Sequence, residues 1–278
     1  MVLFVGVVLG VGAVAAALAV SEGLSVEAAF GLIADPVASP LVTSPAWIAA
    51  GIVLNELTIV VLMVLWLRRL KAKLSAIVPF ARPSARALIG AVLLPFGFAP
   101  LAEVASELMY RLLPQGLPPE DVVFAVARGT DPGALPLVLL AAAALPAVVE
   151  ELMFRGFVTT AFQNYSPLVI VAVSSLMFGL FHLEPTQAAG TTVLGAAFGL
   201  VRLYTGSIWP CILGHFAYNA GVILEARWFD PPTDHQIYWG RVGVGLVLTV
   251  LAYVLLVGDL GRRLLLRLSF RPPPRGPT

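Results

Sequence analysis

The sequence predicts an all-α fold, a polytopic transmembrane helix bundle of about eight spans. Three observations predict it. Of the 278 residues 59% are hydrophobic and only 12% charged, against about 25% charged in an ordinary soluble domain. The apolar residues fall in runs long enough to cross a bilayer, separated by Pro, Gly and Ser punctuation. The basic residues gather at alternate ends of those runs. A net charge of +1 with no basic surface domain excludes nucleic acid as a partner. The single cysteine, Cys211, excludes a disulfide framework and a cysteine-based zinc site within the chain.

The first run, Met1 to Val20, holds no charge and reads as a retained transmembrane helix rather than a secretory leader. Ser44-Pro45 supplies a cap and first-turn proline for a second span, Ala46 to Leu67. That span ends on Arg68, Arg69, Lys71 and Lys73, a cytoplasmic anchor. A third, Ala87 to Tyr110, contains Pro95 and Pro100, which predict a kink, and Glu103 and Glu107. Residues 111–131 read as an exterior loop with an interfacial turn at Val122–Val126. Asp131-Pro132 caps the fourth span, apolar from Leu135 to Phe162 apart from one short stretch. Ser166-Pro167 opens the fifth, Leu168 to Leu183. The sixth, Thr186 to Tyr204, is stopped by Gly206, and Ser207 caps the seventh, Ile208 to Ala226. An exterior loop with His235 precedes the eighth, Val242 to Val257.

Eight spans place both termini on one side. Twelve of the 17 Lys and Arg then fall in cytoplasmic segments and four outside, with Arg155 inside the membrane, which is the positive-inside bias. The chain reads as one domain, 1–278, in a plasma (inner) membrane with both termini cytoplasmic, and residues 271–278, with three consecutive prolines, as an extended cytoplasmic tail.

The exception to apolarity in the fourth span is Glu150-Glu151-Leu152-Met153-Phe154-Arg155. A charge near the bilayer centre costs roughly 2.5–3.5 kcal/mol even on the gentlest scale, so such residues face a protein interior or a wet cavity and mark a site. Glu151 and Arg155 are four apart and on one helical face, so they can neutralise each other. Glu150 points about 100° away and is left for another task. His182, His215 and Asn219 are further polar residues in apolar runs, the last two sharing a face. Together they supply a base, a proton carrier and hydrogen-bond donors, the inventory for attack of water on an amide. Other intramembrane acids, Glu56 beside Asn55 and Glu103 with Glu107, are expected to make interhelical hydrogen bonds or to gate the cavity. Glu184 and His235 are expected to be solvated.

These residues resemble the CPBP membrane proteases, which comprise type II CAAX prenyl endopeptidases and bacteriocin-processing and self-immunity proteins. The pattern Glu-Glu-x-x-x-Arg, Phe-x-x-x-His and His-x-x-x-Asn occurs in order as Glu150 to Arg155, Phe178 to His182 and His215 to Asn219. The likeness covers about 132–224. It implies an intramembrane endopeptidase acting on a membrane-associated protein or peptide, with membrane lipid as its other partner. It implies that Glu150 and His182 activate water, that His215 and Asn219 stabilise the oxyanion, and that Glu151 with Arg155 orient Glu150. It implies no cofactor. The residue types leave open a Zn²⁺ alternative with ligands Glu150, His182 and His215. A non-catalytic scaffold or immunity factor and a proton-coupled transporter are the other function classes.

Helix lengths set one condition. At 1.5 Å per residue Glu150 lies roughly 22 Å inward from Leu135, and His182 about 22 Å outward from Pro167. In a core of about 30 Å straight helices would put them at different depths. The motifs meet only if the fourth helix overshoots the core and the fifth is recessed or tilted.

Overall fold

The computed structural model describes residue 25 and residues 45–113, 127–229 and 239–269. The predicted first span, the Val122–Val126 turn, His235 and the 271–278 tail lie outside the described residues. Within them the chain is helical, with no strand. In chain order the helices are α1 (Pro45–Leu70), α2 (Leu74–Ile77) and α3 (Ala85–Leu112). Then follow α4 (Pro132–Ala161), α5 (Pro167–Phe181), α6 (Pro185–Thr205), α7 (Trp209–Trp228) and α8 (Trp239–Ser269).

Among the described residues four segments are long and apolar enough to cross a membrane: Ala49–Leu70, Ala85–Leu112, Pro132–Ala161 and Trp239–Gly261. Helix α5 is apolar but only 15 residues long, and α6 is diluted by Gln187, Arg202 and four threonines. Large apolar side chains point outward along α8, with Val244, Leu246, Val247, Val250 and Val254 all mostly exposed. A continuous apolar face of that kind fits hydrocarbon rather than water.

Helix starts follow side-chain chemistry. Asp131 accepts from the Gly133 amide at 2.8 Å and Ser166 from the Val169 amide at 3.5 Å, each just ahead of a first-turn proline, so a free amide at each of those ends is satisfied. Glu184, expected to be solvated, instead caps α6, accepting from the amides of Thr186 at 3.0 Å and Gln187 at 2.6 Å. A carboxylate there also meets the positive end of the helix dipole. Ser207 accepts from the Trp209 amide while its hydroxyl donates to Ala81 O at 2.6 Å. Helix α6 ends as expected at Gly206, whose φ of 60° and backbone bond to Arg202 O close the last turn.

Helix α3 runs unbroken through Pro95 and Pro100 and packs against α6, α7 and α8. Ala91, Leu94, Ala197, Val201, Cys211, Ala252 and Leu256 fill that centre. Helix α1 packs on the middle of α4, with Ile59 and Met63 against Val149 and Phe157. Glu103 makes an interhelical pair with Arg241 of α8 at 3.1 Å, and Glu107 pairs within α3 with Arg111 at 2.6 Å.

The depth condition is met by length. Thirty residues give α4 about 45 Å, past the hydrocarbon core, whereas the 15 of α5 give about 22 Å, short of it. The C-terminal end of α4 is fastened to α2, where Thr160 Oγ1 donates to Ile77 O at 2.8 Å.

Gly206→Ala forces a Cβ into the left-handed region and is expected to destabilise the protein by about 1 kcal/mol; denaturant unfolding in detergent micelles measures it, and an unchanged midpoint contradicts this account of how α6 ends.

Candidate active site

Helix α4 is not a uniform α-helix. Residues Leu140–Ala144 and Leu152–Val158 are π-helical, flanking the α-helical Leu145–Glu151. The first wide turn precedes Pro146, which has no N–H to give to a carbonyl four residues back. The second begins immediately after Glu151 and carries Arg155. Single π turns inside α-helices are frequent at functional sites because they re-aim side chains without breaking the helix.

At the centre Glu151, Arg155 and His215 are all buried, none more than 3% exposed. Glu151 Oε1 accepts from Arg155 Nη1 at 3.0 Å and lies 3.0 Å from His215 Nδ1. A carboxylate can only accept, so His215 donates through Nδ1–H and turns Nε2 away from Glu151. Arg155 Nη2 donates to Gly195 O of α6 at 2.7 Å. Glycine is needed there because a Cβ would sit 3.0 Å from Ser175 Cα and 3.2 Å from Phe178 Cδ1.

Aromatic rings enclose the cation. Arg155 Cζ lies 4.6 Å from the centroid of Phe178 and 5.3 Å from that of Phe198. Phe198 also stacks on His215, with centroids 4.7 Å apart and planes 18° from parallel. Cation–π attraction thus acts on the faces of the guanidinium where no acceptor can reach. The same Phe178 ring stands edge-on to His215 at 5.7 Å and to His182 at 5.2 Å.

Glu150, 6% exposed, points off the Glu151–Arg155 face as the spacing required. Its Oε2 is 3.9 Å from His215 Nε2, beyond hydrogen-bonding range. Its carboxyl instead neighbours the buried acid Glu56 of α1, the helix that packs on this part of α4. Among the described residues Glu151 and Arg155 make no side-chain hydrogen bond to Glu150; Glu151 binds Arg155 and His215 instead. His182 caps the C-terminus of α5, half-buried, with Nδ1 donating to Phe178 O at 2.9 Å. Its Nε2 remains for other work. Asn219 stands one turn after His215 on α7, half-buried and outside the Glu151 network.

The structure thus ties Glu151, Arg155 and His215 directly, brings Glu150 beside His215, and sets His182 on the shared Phe178 ring. Among the described residues no three His, Cys, Asp or Glu side chains form a metal-holding group. Sequence reasoning missed Phe198 and Gly195. The small-residue pattern of α6 was the available signal, but it carries no direction.

Residues 132–221 match the family model of Rce1-like type II CAAX prenyl endopeptidases, nearly the stretch over which the three motifs show their resemblance. The chain is 25% identical over 92 residues to a Bacillus subtilis (strain 168) protein named "Putative membrane peptidase YdiL"; the match covers 33% of this chain and 38% of that protein's length. No solved structure matches the chain at a significant level.

Arg155→Met leaves Glu151 buried without its guanidinium and is expected to cost about 3–5 kcal/mol, whereas Glu151→Gln with Arg155→Met together cost less. Denaturant unfolding of the three variants in micelles reads this, and purely additive losses contradict it.

Proposed function

We propose that this protein is an integral-membrane endopeptidase that hydrolyses a peptide bond in a membrane-associated protein or peptide, of prenylated CAAX type or chemically similar. The observation that carries the reading is the buried Glu151–His215 bond. It fixes one histidine so that its other nitrogen faces the neighbouring carboxyl of Glu150, and all three residues fall within the stretch that the family model matches.

The chemistry follows from what each atom has left to offer. Glu150, assisted by the Nε2 of His182, takes a proton from water as the water oxygen attacks the scissile carbonyl carbon. The carbonyl π pair moves onto oxygen. That oxyanion accepts hydrogen bonds from the Asn219 amide and from His215 Nε2–H, the ring then carrying a hydrogen on both nitrogens while Glu151 holds Nδ1–H; the value of these donors comes from being aligned in advance in a site of low dielectric. Collapse breaks the C–N bond, the proton held by Glu150 passes to the leaving amine, and a new carboxyl terminus results. Glu151 and Arg155 do not touch substrate; they are positioning residues for His215. On this reading the zinc alternative is not needed, because Glu150 supplies the base and His215 the electrophilic assistance that a metal would provide.

Membrane placement supports the substrate class. The site residues belong to α4, α5 and α7, and α4 is among the helices long and apolar enough to span. The basic group Arg68, Arg69, Lys71 and Lys73 at the end of α1 supports a cytoplasmic face there, and with it a plasma-membrane location with cytoplasmic termini.

Purified protein in micelles is expected to cleave a farnesylated CAAX peptide or a peptide from a membrane-fraction library, and Glu150→Gln to lower kcat by about 10²–10⁴-fold while the variant still unfolds cooperatively. Activity is expected to persist in a chelator. Equal cleavage by Glu150→Gln contradicts the assignment of the base, loss of cleavage in chelator favours the metal-dependent alternative, and a cellular effect that survives Glu150→Gln favours a scaffold.

A further inference from the structure

The proposed reaction uses three groups that must be held still, and two have visible holders. His215 is held by Glu151 Oε1 at 3.0 Å, and His182 by Phe178 O at 2.9 Å. No hydrogen bond joins Glu150 to another motif residue among the described residues: His215 Nε2 stands 3.9 Å from its Oε2, too far for one. A glutamate side chain at large loses roughly 1.5–2 kcal/mol of rotamer freedom on being fixed, and a base displaced by 1 Å can lose about a hundredfold in rate. Something has to hold Glu150 in place.

Helix α1 carries such a group. Glu56 is 1% exposed in a predominantly apolar helix, a placement as costly as that of the motif acids. Its rotation is fixed by packing: Ile59 and Met63, three and seven residues on, lie against Val149 and Phe157, so the Glu56 face of α1 looks toward the segment that presents Glu150. Asn55 Nδ2 donates to Glu56 Oε1 at 3.2 Å. Glu56 Oε2 has no hydrogen-bond partner among the described residues, and the buried acid that neighbours Glu56 is Glu150, on the stretch of α4 against which α1 packs.

We propose that Glu56 is a positioning residue for Glu150, bound to it by a carboxyl–carboxyl hydrogen bond across the α1–α4 contact and itself anchored by Asn55. One hydrogen lies between the two acids, leaving the other Glu150 oxygen to face water and His215. This rests on the endopeptidase reading for its catalytic part, but the contact itself does not. A bilayer-embedded acid far from the motifs in sequence thereby becomes part of the machinery, and α1 becomes a wall of the site.

The requirement is for a hydrogen-bond donor, which fixes the test. A farnesylated CAAX peptide, or the peptide found to be cleaved, is assayed with wild type, Glu56→Gln, Glu56→Leu and Glu150→Gln, and unfolding midpoints are measured for Glu56→Gln, Glu150→Gln and the double variant. Glu56→Leu is expected to lower kcat about a hundredfold with KM little changed, and Glu56→Gln, whose amide donates to Glu150, to recover most of it. The two single midpoint shifts are expected not to add in the double variant. Full activity in Glu56→Leu, or equal losses in the Gln and Leu variants, overturns the positioning role; additive midpoints overturn the contact even if no peptide is cleaved. Should Glu150→Gln remain active, the endopeptidase reading fails instead, and the midpoints still decide the contact.

Discussion

A single carboxylate oxygen, Glu151 Oε1, binds both Arg155 and His215 and so joins α4 to α7; through Arg155 Nη2 and Gly195 O it reaches α6 as well. Taking these charges out of solvent is expensive, and only partners placed within hydrogen-bonding reach offset the desolvation. The bundle therefore has to bring three helices into one register before the buried groups can be tolerated. That requirement makes the site a condition of the fold rather than an addition to it.

Packing around the cation supplies what hydrogen bonds cannot. Phe178 and Phe198 close over the guanidinium, and Phe198 lies flat on His215. Close approach of α5 to α6 at Gly195 is what lets Phe178 serve two histidines and an arginine together. A rigid aromatic wall fits a site whose groups must keep their geometry while a substrate enters.

Much of this was legible in the sequence, for local reasons. Asp131, Ser166 and Gly206 mark helix ends because their chemistry acts within one turn. Glu151 and Arg155 were legible as a pair because four residues is a fixed angle on a helix. What required neighbours was not legible. Glu184 sits between two helices and reads as exposed until α6 is seen to need a cap. The π turns of α4 have no residue code beyond Pro146. Glu56 could be counted as a costly acid, but its direction depends on how Ile59 and Met63 seat α1. The count of spans is the coarser result: among the described residues four helices are long and apolar enough, while α5, at 15 residues, is shorter than the bilayer core.

The chain contains three histidines, so ¹⁵N nuclear magnetic resonance of histidine-labelled protein in micelles observes the central bond with little ambiguity. The account predicts that the His215 ring carries a hydrogen on Nδ1, strongly hydrogen-bonded, and that Glu151→Gln shifts this resonance while leaving His182 in place. A His215 ring protonated only on Nε2, or one indifferent to Glu151→Gln, would contradict it.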